Sequence, residues 1–201
     1  MIKNYVFDFG KVLARFYPDE LTAPYVADGE TLRIVSDVMF DRLYWSRLDE
    51  GTITDQEVKE QTSRRLTKEQ WEQGCKAYDH WVHNLVPVTD MPQVVADLKK
   101  AGNGVYLVSN ISKKFASEYK DVPWIKALFD QFDGLIFSSD YKICKPSTEI
   151  FEILLKKYAL NPDECLFIDD LPDNILGAQS AGMSGYLFDG DAQKLRGFIG
   201  I

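Results

Sequence analysis

Apolar and polar positions follow two regimes along the chain. The first apolar run, Ile2 to Phe7, is short, aromatic and β-branched, the pattern of a buried strand, and it stops at Asp8-Phe9-Gly10. From about Ala14 to Pro87 strand-like runs disappear and helical periodicity takes over. Leu32, Val35, Val38, Met39, Leu43 and Leu48 recur close to every 3.6 residues, predicting a helix over 31–48. Asp49-Glu50-Gly51-Thr52-Ile53-Thr54 breaks it. Thr54 followed by Glu57, and Thr67 followed by Gln70, are capping-box signatures that open two more helices.

From Met91 strand and helix patterns alternate. Pro92 to Lys100 is a predicted helix stopped by Gly102, and Gly104 to Val108 a strand ending in Ser109-Asn110. Residues 113–131 are helical with an interruption at Pro123. Gly134 to Phe137 is a third strand, followed by Lys145-Pro146 and a helix over Thr148 to Tyr158. Cys165 to Ile168 is a fourth, ending in Asp169-Asp170, with a helix from Pro172 to Ala181 and a fifth strand from Gly185 to Phe188. Such alternation implies a parallel sheet with right-handed crossovers. The predicted fold is α/β, a parallel β-sheet core sandwiched by helices, with a helical bundle inserted after the first strand.

Composition narrows the function. The chain has 201 residues, 45% of them hydrophobic and 13% aromatic, enough for one domain with an insertion or two small ones. Its net charge of −8 argues against general nucleic-acid binding, which demands clustered Lys and Arg. Small phosphate ligands need only a few local donors and stay open. No apolar run approaches the ~18 residues of a membrane span, and the N-terminus lacks a signal-peptide pattern. Cys75, Cys144 and Cys165 are odd in number and widely spaced, so reduced thiols in the cytoplasm are expected. Moderate acidity leaves the oligomeric state open.

A lone strand-end Asp is as readily a loop cap as a functional group. Here four strand ends carry polar groups: Asp8, Ser109 with Asn110, Lys145 in the loop after the third strand, and Asp169 with Asp170. A parallel sheet brings them to one edge, where ligands of open α/β sheets bind. Two carboxylates from different strands suit a hard divalent cation such as Mg²⁺. A hydroxyl and an ammonium beside them suit a phosphoryl group, whose charge must be neutralised. A carboxylate can then attack phosphorus and form an acyl phosphate.

The motifs Phe7-Asp8-Phe9-Gly10-Lys11-Val12-Leu13, Leu107-Val108-Ser109-Asn110, Lys145-Pro146 and Ile168-Asp169-Asp170-Leu171-Pro172-Asp173-Asn174 span nearly the whole chain. In order and spacing the chain resembles the haloacid dehalogenase (HAD) superfamily, in its branch with a helical cap. It is most similar to bacterial phosphatases of the α-D-glucose-1-phosphate phosphatase type, including the cap stretch Glu50-Gly51-Thr52-Ile53. The resemblance implies a Rossmann-like core of residues 1–13 plus 89–201 and a cap of residues 14–88 that shields the site and selects a small phosphorylated substrate. It implies that Asp8 is the nucleophile and a Mg²⁺ ligand, with the Gly10 carbonyl and Asp170 as further ligands. Asp169 is implied as a ligand through water or a neighbour of the ligands, with Asn174 in support. Ser109 is implied to hydrogen-bond the phosphoryl, Asn110 to hold the phosphoryl or the nucleophile loop, and Lys145 to neutralise Asp8 and phosphate. The loops after Leu13 and near Pro87 are the expected hinges, by analogy with lids.

One departure matters. Most phosphatases of this superfamily carry a second Asp two residues after the nucleophile, to protonate the leaving group, and here that position is Gly10. Three explanations are open: a good leaving group such as an anomeric or acyl phosphate, another donor such as water or Lys11, or a different activity. The first is the working expectation, since general acid catalysis contributes ~10²–10⁴-fold and most to poor leaving groups. The rivals are carbon–halogen cleavage, which needs no metal and is opposed by the acidic pair, and a non-catalytic binding module, favoured by Gly10 alone. A nucleotide kinase lacks its G-x-x-x-x-G-K-[ST] loop. His80 and His83 have a metal-compatible spacing but no third ligand nearby, and Lys113-Lys114 is most simply a solvated helix start.

Overall fold

The computed structural model describes all 201 residues. Strand β1 (Asn4–Phe7) leads into β2 (Ala14–Arg15), then five helices: α1 (Pro18–Thr22), α2 (Gly29–Met39), α3 (Arg42–Asp49), α4 (Asp55–Thr62) and α5 (Lys68–His80). Strand β3 (Val86–Pro87) closes this insertion. The alternating part follows as α6 (Met91–Lys100), β4 (Gly104–Ser109), α7 (Lys113–Glu118), α8 (Pro123–Phe129), β5 (Gly134–Phe137) and α9 (Ser138–Tyr141). It continues through α10 (Thr148–Lys157), β6 (Cys165–Asp169), α11 (Pro172–Ser180), β7 (Ser184–Leu187) and α12 (Ala192–Ile199).

Five strands form a sheet in the order β5-β4-β1-β6-β7, parallel at every junction. Strands buried on both faces read as continuous apolar runs, and this is why Val6, Phe7, Leu107, Val108, Phe167 and Ile168 are all fully buried. Successive side chains alternate between faces. Tyr5 and Phe7 point into a large apolar cluster with α6, α7, α8 and α12, and Val6 into a smaller one with α10 and α11. With β1 central, Asp8 stands at the middle of the carboxyl edge. The larger cluster runs without a break into the helical insertion through Val35, Met39, Phe40, Leu48, Tyr78 and Trp81.

Three local expectations are corrected. The helix over 31–48 is two helices, parted at Phe40–Asp41, because the Asp41 carboxylate caps α3 by accepting from Leu43 N at 2.9 Å. Residues 14–87 are not free of strands, since β2 and β3 pair antiparallel, Ala14 opposite Pro87 and Arg15 opposite Val86. Two-residue strands are too short to show a period. Helices α1 and α12, which no periodic run announced, complete the fold. Both capping boxes, at Thr54 and Thr67, form as predicted.

Candidate active site

Asp8 continues the β1 ladder, its N–H donating to the Ile168 carbonyl at 2.9 Å. That bond fixes its Cα between the ends of β4 and β6. Its Oδ1 accepts from Ser109 Oγ at 2.7 Å and from Lys145 Nζ at 2.6 Å, while Oδ2 takes no protein donor. Phe9 anchors the following loop against Phe115, ring centroids 4.8 Å apart, and against Phe129 at 5.3 Å. Burial raises the Asp8 carboxyl to about 6, the Lys145 charge lowering it and Asp169 adding to the rise.

Lys145 is the hub. Its side chain is 1% exposed and also donates to Asp169 Oδ2 at 2.7 Å. Burial disfavours its charge, but the two carboxylates more than offset that and raise the ammonium above its ordinary value. The main chain of Lys145 is gripped by Asn110, whose Oδ1 accepts from Lys145 N at 2.8 Å and whose Nδ2 donates to Lys145 O at 3.1 Å. From below, α11 comes so close that a Cβ on Gly177 would lie 2.3 Å from the Pro146 carbonyl oxygen. Only a glycine lets that helix support the lysine loop.

Asp169 is fully buried, with both oxygens occupied. Oδ1 accepts from Leu171 N at 2.8 Å and from Asn174 Nδ2 at 3.0 Å, and Oδ2 from Asn174 at 3.0 Å as well as from Lys145. Asp170 is half-buried. Burial and the neighbouring Asp169 raise its carboxyl, with Lys11 acting the other way. Carboxylate oxygens of Asp8, Asp169 and Asp170 lie within 4.8 Å of one another. Of the three, Asp8 Oδ2 and the Asp170 carboxylate take no donor from another residue. Two hard oxygen donors from different strands fit Mg²⁺, which takes few protein ligands and keeps several waters.

The sequence-predicted residues thus come together: Asp8, Ser109, Lys145, Asp169 and Asn174 in one hydrogen-bonded network, with Gly10, Lys11, Asn110 and Asp170 around the same cavity of about 410 Å³. Lys11 has a left-handed backbone, φ 60°, and its Nζ sits 5.8 Å from the centre of the Tyr17 ring. The two histidines lie elsewhere. His80 stacks on Tyr25 at 6.0 Å, and His83 is 3.9 Å from Glu118.

The sequence signature of haloacid dehalogenase-like hydrolases matches residues 3–182. The chain belongs to that family. Among its haloacid dehalogenase-like relatives is a sesquiterpene phosphatase of Aspergillus oryzae, 27% identical over 98% of this chain and 97% of the relative. A D-ribitol-5-phosphate phosphatase of Bacteroides thetaiotaomicron is 30% identical over 87% of this chain and 86% of the relative. A HAD family enzyme of the same bacterium, solved in complex with magnesium and inorganic phosphate, shares the fold with a TM-score of 0.73. That match is 24% identical and covers 97% of this chain and 99% of the other. The protein is a hydrolase of this family, and none of its helices is long and apolar enough to cross a membrane.

On this haloacid dehalogenase-like framework the insertion, whose aromatic richness the sequence shows, contributes further groups, of which Phe16, Arg42, Ser46 and Asp49 are not announced by any motif. Phe16, Phe40, Trp45 and Trp81 form one wall of the cavity, packed at 5.2 Å for Phe16–Trp45 and 5.3 Å for Trp45–Trp81. Trp81 stacks on Phe115 at 5.8 Å and so joins the wall to the core. Arg42, Ser46 and Asp49, all on α3, are the polar members from the insertion. The available signal for Asp49 was its position at the helix-breaking Asp-Glu-Gly turn, which reads first as a stop and not as a site.

Proposed function

We propose that this hydrolase is a Mg²⁺-dependent phosphatase of a small phosphorylated metabolite, a sugar phosphate or a close relative, acting by double displacement. The observation that carries the reading is the asymmetric state of Asp8. One oxygen is held by Ser109 and Lys145 and the other faces the cavity without a protein donor, the arrangement of an oriented nucleophile. Asp8 Oδ2 would attack phosphorus, the ester oxygen leaving as the P–O bond breaks, and water would then cleave the aspartyl phosphate. Ser109 and Lys145 supply donors to the transferring phosphoryl, whose negative charge needs fixed, water-excluded partners. Asp8, Asp170 and the Gly10 carbonyl would hold Mg²⁺, with Asp169 linked through water; the cation, when bound, supplies positive charge beside the phosphoryl oxygens. Asn110 and Asn174 hold Lys145 and Asp169 in place.

Residues 14–88 act in this reading as the cap over a core of residues 1–13 and 89–201, and the ribbon β2–β3 is the joint. The phosphatase relatives of similar length support the reaction class. Three free thiols fit a cytoplasmic enzyme. Phosphate release from a metabolite panel, with and without Mg²⁺ and with Asp8→Asn, tests the proposal. Metal-dependent turnover abolished by Asp8→Asn is expected; halide release from 2-haloacids with no phosphate release would replace it.

A further inference from the structure

We propose that Asp49 is the proton donor to the leaving-group oxygen, and that the substrate is accordingly a phosphate monoester of an ordinary alcohol. This rests on the phosphatase reading above and answers the question posed by Gly10.

The position is built. Asp49 ends α3 and lines the same cavity as Asp8. Its carbonyl accepts from Ser138 Oγ at 2.6 Å, and that hydroxyl in turn accepts from Ile111 N at 2.9 Å. Ile111, in the loop after β4, and Ser138, the first residue of α9, thus pin the end of α3 over the site. Two residues on, Gly51 has φ +65°, and a Cβ there would stand 3.1 Å from Ser139 O, so this turn of the insertion lies directly on the core backbone.

The carboxyl itself has no partner. Asp49 is 9% exposed, and its hydrogen bonding is through the main chain, with no donor reaching the carboxyl oxygens. A carboxyl buried without a donor favours the neutral O–H form. Burial, then the nearby Asp8, push it up to about 8; Lys145 opposes this and Glu50 adds to it. The other titratable groups facing it are Cys144 and Tyr78, with Arg42, Lys11 and Asp170 around the cavity. No hydrogen bond joins Asp49 to Asp8. A neutral carboxyl opposite an ionised one is the division of labour that acid and nucleophile require.

The chemistry balances. As Asp8 Oδ2 bonds to phosphorus, the ester P–O bond breaks, its electron pair stays on oxygen, and the Asp49 proton passes to that oxygen, so a neutral alcohol leaves. In the second half Asp49, now a carboxylate, takes a proton from the attacking water as the aspartyl P–O bond breaks, restoring both side chains and releasing inorganic phosphate. A phenolate or acyl leaving group departs without such help, whereas an alkoxide gains the most. Of the explanations open for Gly10, this proposal takes another donor in place of a good leaving group, and the comparison of alkyl with aryl esters decides between them.

The test compares an alkyl with an aryl substrate, ribitol 5-phosphate and p-nitrophenyl phosphate, in the Mg²⁺-loaded wild type and Asp49→Asn. We expect kcat/KM for the alkyl ester to fall about 10²–10⁴-fold in the variant and the aryl ester by less than about threefold. Equal losses on both esters, or none on either, overturn the assignment while leaving the phosphatase reading intact. Where the wild type is inert to either ester, the alkyl and aryl phosphates it turns over fastest in the metabolite panel take their places; a wild type that releases phosphate from no member of the panel overturns the phosphatase reading and this assignment with it. A second measurement needs no variant: in the wild type the ratio of alkyl to aryl kcat/KM is expected to decline as pH rises and Asp49 loses its proton, the ionisation of Asp8 cancelling in the ratio. A pH-independent ratio overturns the assignment.

Discussion

Asp169 and Lys145 are locked together at 2.7 Å with essentially no exposure on either side, and every oxygen of Asp169 is occupied. Asp169 therefore positions the lysine that holds Asp8. Removing one member of a buried pair leaves an uncompensated charge and costs about 3–5 kcal/mol. Lys145→Met is expected to lose stability of that order, read from urea unfolding, together with activity. Asp170→Asn has no such buried partner to orphan and should keep its unfolding midpoint while Mg²⁺ binding by calorimetry weakens sharply.

Asp49 also sets a pH dependence of stability. Its carboxyl titrates near 3.8 when solvated and near 8 in the fold. Between those values the folded chain keeps a proton that the unfolded chain has released, so stability falls as pH rises, by up to about 1.4 kcal/mol per pH unit. Its contribution is fully present below about pH 4 and lost as pH rises through about 8. Asp49→Asn, which cannot ionise, should melt at a higher temperature than wild type at pH 8.5, by less at pH 5, and close to it only below about pH 4. A difference in melting temperature independent of pH would contradict a buried, protonated Asp49.

Gly10 has room for a side chain. The nearest heavy atom to a Cβ built there is Phe16 Cβ at 3.8 Å, ordinary contact, and the backbone is not left-handed. Gly10→Asp places a carboxyl at the position where related phosphatases carry theirs. Combined with Asp49→Asn, it is expected to restore alkyl phosphate hydrolysis at least tenfold over the single variant, an effect of about 1.4 kcal/mol on the barrier. Alkyl phosphate turnover by the double variant is the readout.

Gly177→Ala separates helix propensity from packing. In an exposed helix the change would stabilise by about 1 kcal/mol. Here the new methyl meets the Pro146 carbonyl, a backbone atom that cannot rotate away. The clash is expected to win, lowering the melting temperature and reducing kcat more than it raises KM, because the displaced element carries Lys145. A more stable variant with unchanged kcat would show that the loop yields freely.

Much of this site is legible in the sequence, for a physical reason. In a parallel sheet the strand order brings chain-distant strand ends to one edge, so Asp8, Ser109 and Asp169-Asp170 declare themselves as polar groups that stop apolar runs. Lys145 follows as the cation in the loop between two such elements. What the local pattern hides is set by tertiary contact. The 3.6-residue period passes through Phe40–Asp41 without a slip, so only the capping bond of Asp41 to Leu43 N reveals two helices. Asp49 looks like a solvated helix end until Ser138 docks it against the core. Gly177 looks like a tolerated helix glycine until α11 meets the Pro146 carbonyl.

The ribbon of Ala14–Arg15 with Val86–Pro87 has a consequence for how such a protein can change over time. Entry to and exit from the insertion lie side by side, Val88 N donating to Leu13 O at 3.0 Å just beyond the pairing. To the sheet, residues 16–85 are therefore one long hairpin loop, whose length and contents leave the ends where they are. Two obligations constrain what hangs there: the aromatic seam at Trp81 and Phe115, and a carbonyl for Ser138 to grasp. Within those terms the walls of the cavity can be rewritten wholesale while Asp8, Ser109 and Lys145 stay in register. On the proposed reading, what selects the substrate and most of what performs the chemistry would lie on separate stretches of the chain, Asp49 being the exception through which the exchangeable stretch takes part in the reaction.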